Sequence, residues 1–524
     1  MILYDKVFIN GKVFTCDNKD SRAEAVGVID GRISFVGNNT DINKFIGENT
    51  EVIDLENKLM LPGFIDCHVH FLEGGLQLGK IDFTEIYTKN EFSLKVEKYI
   101  AENKADWILG GNWDHQKISE KKLPCKEWID EITGDKPFWA TRTDLHMGLA
   151  NSAALKLAGI NNSTSDPEGG LIVRDELGNP TGMLKDEAMK LIQKLIPQPE
   201  KHDLKIAMRN AFSEAAKNGV TTITDICDAK SIEIYKELLR EEKLTCRING
   251  VLPIDQIEKV EKLKINSEMI KVNAVKAFID GSIGSETAWF YEPYINNPNF
   301  SGLPMIQFSN GKLKKLALEA DRKGMQLIIH AIGDKAIEAL LEMYDEIISV
   351  NGKRDRRSRV EHVQHIQNKE IEKMRELDII ASVQPSHLID DAPWIKNVIS
   401  ESVVNSSYRF RSLIDAEVRT CFGSDWTVSS LNPIKAIYAA VNRTYANNEV
   451  FLEDEKISVL EAVRCSTING AYGNFMEKSA GSIEIGKFAD MVVLDQNIFE
   501  IEHEKIINTK VIKTVCNGKI VFGK

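Results

Sequence analysis

The stretch Pro62-Gly63-Phe64-Ile65-Asp66-Cys67-His68-Val69-His70 decides the fold. An apolar run, Lys58-Leu59-Met60-Leu61, leads into it, and Gly74-Gly75 follows shortly after. The pattern predicts a buried strand that ends in two histidines. Side chains two apart on a strand point to the same side, so His68 and His70 aim at one point while Cys67 and Val69 face the other way. Two imidazoles converging at a strand end are half of a metal site. The plain alternative is a pair of satisfied polar residues in a turn, and the rest of the chain decides between the two.

Working outward, an alternation sets in at about residue 203. Helical patterns at 203–218, 229–243, 255–264, 312–323, 334–349, 368–377 and 432–446 alternate with strand-like runs. The runs end at Asp225, Val251, Phe278, His330, His362, Gln384 and Asp425. With the opening strand there are eight, each followed by helical sequence. Eight such units predict an α/β chain built on a closed (β/α)8 TIM barrel, with its active site at the C-terminal strand ends. A doubly wound open sheet is the alternative, but no G-x-G-x-x-G or P-loop stands at a strand end.

Both chain ends read differently. Asn10-Gly11, Asp30-Gly31 and Asn517-Gly518 each separate two apolar runs, which is a hairpin signal. Residues 1–57 and 483–524 are therefore expected to form one small β-sandwich domain. The barrel would occupy 58–482, with an inserted, irregular, lid-like region at about 84–200 that is rich in aromatics and loop signals.

Composition narrows the function. The 524 residues carry 66 basic and 78 acidic side chains, a net charge of −12, with no basic stripe, which argues against nucleic acid as a partner. The eight cysteines form no C-x-x-C pair, so free thiols in a reducing compartment are expected. No run approaches the ~20 apolar residues of a membrane helix. The N-terminus is charged early and does not read as a signal peptide, so a cytoplasmic location is expected. The expected partner is a small-molecule substrate, with no membrane, and a homo-oligomer is compatible with the sequence.

The metal-capable residues fall where the strands end: His68 and His70 on the first, Lys276 near the end of the fourth, His330 on the fifth, His362 on the sixth and Asp425 on the eighth. Singly, His330 reads equally well as a core histidine and Asp425 as a helix cap. Strand ends ring one mouth in a barrel, so residues distant in sequence converge there. Four of the ten histidines are used in this way.

These segments resemble the amidohydrolase superfamily of metal-dependent hydrolases. The matching pieces are the opening stretch, His330-Ala331-Ile332-Gly333-Asp334, Val360-Glu361-His362, Gly423-Ser424-Asp425-Trp426 and the tail Gly486-Lys487-Phe488-Ala489-Asp490. The stretch from His146 to Leu155, with Gly182-Met183-Leu184-Lys185 and Lys276-Ala277-Phe278-Ile279-Asp280-Gly281-Ser282, is similar to the YtcJ-like or amidohydrolase 3 branch, which includes N-substituted formamide deformylases. The resemblance implies two divalent metals, usually zinc. His68, His70 and Asp425 would hold one, His330 and His362 the other, and Lys276 would bridge them as a carboxylated lysine.

The expected activity is hydrolysis of a C–N amide-type bond in an N-substituted amide or formamide. A metal-bound hydroxide would attack, and Asp425 would be the catalytic proton carrier. Trp113, His146, Asp280, Ser282, Gln384 and Trp426 are the candidate substrate contacts. The rival readings are a single-metal deaminase of a nitrogen heterocycle and a catalytically silent regulatory or scaffold protein.

Overall fold

The computed structural model describes residues 4–523 apart from 104, 116, 121, 143–146, 169 and 266. Eight parallel strands share one sheet: β1 (Phe64–Val69), β2 (Val220–Ile226), β3 (Arg247–Pro253), β4 (Ile270–Phe278), β5 (Gln326–Ala331), β6 (Arg359–His362), β7 (Ile380–Val383) and β8 (Thr420–Phe422). Each pairs in parallel with the next in chain order. β1, β5, β6, β7 and β8 are buried at every position, as expected for strands covered on both faces. The helix Asp334–Asn351 buries Ala336, Ile337, Leu340, Leu341, Tyr344 and Ile347, one apolar face at helical spacing.

β1 and β8 close the barrel only at its C-terminal mouth. Val69 and Trp426 form a single parallel bridge. The Asp425 N–H donates to the His68 carbonyl at 2.7 Å, and the His70 N–H donates to the Trp426 carbonyl at 2.7 Å. Gly423 permits this approach, because a Cβ there would lie 2.8 Å from the His68 nitrogen. The seam therefore runs between the first and last predicted metal-binding segments.

The two chain ends build two further sheets. Lys6–Ile9, Ala25–Ile29, Arg32–Gly37 and Glu51–Asp54 form one. Lys12–Phe14, Arg22–Ala23, Leu59–Pro62, Met491–Leu494, Val511–Cys516 and Lys519–Phe522 form the other. Phe8, Val26, Met60, Met491, Val493 and Val515 share one core, so both ends contribute to it. Asp30-Gly31 and Asn517-Gly518 do turn hairpins. Asn10-Gly11 does not. The strands on either side of it lie in different sheets, each held by partners elsewhere in the chain.

Arg247, at the start of β3, makes a two-pronged ion pair with Asp490, with Nε–Oδ2 2.6 Å and Nη2–Oδ1 3.1 Å. Its guanidinium lies 3.5 Å from the Phe488 ring centroid. Both charged side chains are buried, so the Gly486-to-Asp490 tail locks the C-terminal strands to the barrel. Asp490→Ala strands a buried guanidinium and is expected to cost about 3–5 kcal/mol of stability, read from urea unfolding. A loss under about 1 kcal/mol would show that the pair is not a structural lock.

Residues 73–210 form a second compact unit, distinct from residues 1–72 with 211–524. Residues 84–200, expected to be irregular, carry regular structure. This unit has its own six-stranded sheet, from Ile81–Asp82 to Pro180–Asp186, and two apolar clusters. Gly110-Gly111 lies inside the strand Ile108–Trp113. Gly110 is needed there because a Cβ would come 2.6 Å from the Phe83 ring. Among the described residues, no helix is long and apolar enough to cross a membrane.

Candidate metal centre

His68 lies in β1 and His70 just beyond it; Lys276 and His330 are near the ends of β4 and β5. His362 closes β6, and Asp425 follows β8. His362 and Asp425 have left-handed backbones, φ 78° and 54°, which turn the chain at the point where each side chain must face the mouth. One ligating atom each from His68, His362 and Asp425 lie within 4.8 Å of one another, and all three residues are buried. His70 Nε2 is 3.3 Å from Asp425 Oδ1, and His68 Nε2 is 3.6 Å from the same oxygen. The His330 ring stands 4.5 Å from the His362 ring, but its Nε2 is bonded to the Gly281 carbonyl at 3.0 Å.

The far sides of the His68 and His362 rings are fixed. His68 Nδ1 is 2.5 Å from Glu361 Oε2. An ionised carboxylate only accepts, so Nδ1 carries the proton and Nε2 presents its lone pair inward. His362 Nδ1 donates likewise to the Gln384 amide oxygen at 2.8 Å. Such partners orient metal-binding imidazoles. Glu361 is itself gripped by Arg359 (Nε–Oε1 2.7 Å), whose guanidinium also donates to the Ser382 hydroxyl and the Cys67 carbonyl. Asp66 accepts from the backbone N–H groups of His68 and Ser424, holding the two sides of the seam together.

Charge follows from this packing. Burial, reinforced by Lys276, pushes His68 down to about 4, and burial with the neighbouring His330 takes His362 well below its ordinary range. Burial opposes ionisation of Glu361, yet the Arg359 guanidinium and His68 hold it at about 2. Burial likewise opposes Asp425, and His68, His70 and His362 keep it well below the usual carboxylate range. Burial lowers Lys276 to about 8, against the pull of Glu361 and Asp425. Two neutral imidazoles presenting Nε2 and one carboxylate fit a divalent cation.

These shifts set a pH dependence for the metal-free protein. Between about 6.5 and about 4 the unfolded chain binds a proton at His68 that the folded chain refuses, so stability falls as pH falls through that window. Glu361 acts in the same direction between 4.5 and about 2. The metal-free protein is expected to lose on the order of 2–3 kcal/mol at His68 between pH 7 and pH 4.5, read from urea midpoints. A midpoint that does not move would contradict a buried neutral His68.

The candidate substrate contacts are placed unevenly. Trp113 is fully buried in the core of the second unit, where its indole N–H donates to the Ala140 carbonyl at 2.9 Å. Asp280 is also fully buried. Its carboxylate accepts the N–H groups of Trp289, Ile332 and Gly333 at 2.8–3.0 Å, so it organises the loops after β4 and β5. Ser282 is exposed, with its hydroxyl 2.9 Å from that of Ser285. Gln384 orients His362, as above. Trp426 sits in the seam, 8% exposed and edge-on to Phe71. His146 lies outside the described residues.

Two groups escape the sequence reading. Glu361 and Arg359 were signalled by two charges two apart in a strand of the barrel, which places both on one face. His387, on the helix Pro385–Asp391, brings Nε2 to 3.8 Å from Asp425 Oδ2, and its ring stacks on His362 at 6.2 Å. Nothing in strand spacing reaches a helix residue of this kind.

A nearly closed eight-stranded parallel barrel with this donor set at its mouth is the fold of the metal-dependent hydrolases. The chain belongs to the amidohydrolase family, whose model matches residues 51–522. It is 37% identical to the protein LONG AFTER FAR-RED 3 of Arabidopsis thaliana, over 99% of this chain and 92% of that one. It is 30% identical to a putative amidohydrolase, YtcJ, of Bacillus subtilis, over 99% of both chains. An N-substituted formamide deformylase of Arthrobacter pascens is 27% identical, over 99% of this chain and 98% of its own. Among solved structures, an uncharacterized metal-dependent hydrolase from Pyrococcus furiosus superposes with a TM-score of 0.77 at 26% identity, over 94% of this chain and all of that one.

Proposed function

We propose that the protein hydrolyses the C–N bond of a small N-substituted amide or formamide, using two divalent cations, zinc by ligand type, at the barrel mouth. The observation that carries this reading is the convergence of His68, His362 and Asp425 within 4.8 Å, with both imidazoles oriented from behind. The likeness to a formamide deformylase supports the substrate class. When bound, the cations would polarise the scissile carbonyl and lower the pKa of water. Asp425 takes the proton of the attacking water and passes it to the leaving nitrogen, which departs as an amine. Lys276, at about 8, has its neutral amine within reach near neutral pH. Capture of CO2 by that amine, with loss of a proton, would give an anion suited to bridge two cations.

The mouth also offers an apolar wall. Phe278 ends β4 with 44% of its surface exposed, 4.8 Å from Lys276 Nζ and 5.2 Å from the His330 ring. An exposed aromatic in this position suits the substituent on the amide nitrogen. The test compares release of amine from N-benzylformamide and N-methylformamide by zinc-loaded protein, before and after chelation. Phe278→Ala is expected to raise KM about tenfold for the benzyl compound and little for the methyl one. An equal change for both would remove Phe278 from specificity. Absence of amine release from both would remove the formamide reading.

A single-metal deaminase is the second reading. It is favoured by His330, whose Nε2 bonds to a loop carbonyl, leaving one compact triad. Release of ammonia from aminopyrimidines by protein holding one metal per chain would select it.

A further inference from the structure

Three histidines face Asp425 or its ligand partners with their Nε2 atoms, but their protons are arranged oppositely. His68 and His362 donate through Nδ1, to Glu361 and Gln384, and so present an Nε2 lone pair. His387 Nδ1 instead faces the Gln364 amide nitrogen at 3.3 Å. An amide N–H2 only donates, so His387 Nδ1 accepts and the ring proton sits on Nε2. That N–H is a donor and not a ligand. It is buried, has no hydrogen-bond partner among the described residues, and lies 3.8 Å from Asp425 Oδ2, too long for a bond between them. His70 approaches the other oxygen, Oδ1. A buried donor left open beside the metal ligands is costly unless a ligand completes it.

We propose that His387 Nε2–H is a substrate-contacting donor, which hydrogen-bonds the oxygen that gains negative charge when the scissile carbonyl becomes tetrahedral. Gln364 is its positioning residue, because it fixes the tautomer. The helix Pro385–Asp391 that carries His387 follows β7, the one strand between β5 and β8 that sends no predicted ligand to the mouth. The assignment rests on the metal-dependent reading above and deepens it: the site takes a carbonyl substrate whose oxygen is held from the β7 side.

The test uses the full-length, zinc-loaded protein and methylphosphonate, a stable tetrahedral oxyanion that is bound and not turned over. Zinc content and calorimetric affinity are measured for wild type, His387→Phe and His387→Gln. His387→Phe is expected to keep its zinc and to bind methylphosphonate about tenfold or more weakly, as for loss of one hydrogen bond to a charged group. His387→Gln, which keeps an N–H, is expected to recover most of that affinity. His387→Met serves the same comparison should the phenylalanine prevent folding. With an amide substrate the loss is expected in kcat, by about 100-fold, with KM little changed. Unchanged methylphosphonate affinity in His387→Phe overturns the proposal. So does loss of zinc, which would make His387 a ligand. Binding is read without turnover, so a failure here leaves amide hydrolysis standing, and a failure to cleave amides leaves this result readable.

Discussion

Asp425→Asn is expected to fold normally and to lose at least ~100-fold in kcat, with weakened metal retention. The backbone N–H of Asp425 closes the barrel seam by bonding to the His68 carbonyl, and an asparagine keeps that bond. What the substitution removes is charge. One carboxylate oxygen faces both His68 and His70, and the other faces His387. Asp425 is the only carboxylate in the compact triad. An amide there offers a single oxygen and no anion, so it can neither balance a dication nor carry the proton from water to the leaving nitrogen. The metal-free variant should still fold but melt somewhat lower than wild type, because the substitution removes a carboxylate that His68, His70 and His362 hold well below its usual range. Turnover within a few-fold of wild type would remove Asp425 from the chemistry.

Lys276→Ala is the second large effect. The lysine is 3% exposed, at the end of β4, among Glu361, Asp425 and Arg359. Three states are open to it: an ammonium paired with the carboxylates, a neutral amine binding one metal, or a carboxylated bridge. An ammonium a few ångströms from a dication is strongly disfavoured at low effective dielectric. A neutral amine leaves only Asp425 as an anion in the triad, since Glu361 is already committed to Arg359 and His68. The carboxylated form supplies the missing negative charge, and burial, which lowers the amine to about 8, eases the loss of its proton. Lys276→Ala should therefore lose bound metal and activity together, with partial return on adding a short carboxylic acid that fills the vacated space. A variant that keeps full metal content and needs no rescue would contradict the bridge. It would favour the single-metal reading.

The barrel was legible because most of its strands are apolar or β-branched runs with a distinct end, set between helical patterns; Arg359–His362, with one apolar residue in four, was legible from its place in that alternation. The strand-end placement of the candidate residues was legible for the same reason: His330 and His362 sit within a residue of their strand ends. Only His68, His362 and Asp425 come together as one compact group among the described residues, and no strand pattern distinguishes them from His330. The sandwich was read from three turns, one of which is not a hairpin. Asn10-Gly11 carries the local signal, but the residues on either side pair with distant segments, and long-range pairing overrides a two-residue preference. The unit at 73–210 was hidden because its strands are short, mixed in direction and interrupted by glycines such as Gly110 and Gly148, which make room for the Phe83 and Trp139 rings. His387 lay beyond any strand pattern. Its place becomes visible only when the helix after β7 is folded over Asp425.

We propose a metal centre at the mouth of this barrel, held by His68, His362 and Asp425. Metal analysis of the full chain after zinc loading and removal of free ion tests it most directly, beside His68→Ala, His362→Ala and Asp425→Ala. About two zinc ions per wild-type chain are expected, with loss of metal in each variant. A wild-type chain that retains no zinc, or variants that retain all of it, would show that these three residues do not hold a metal.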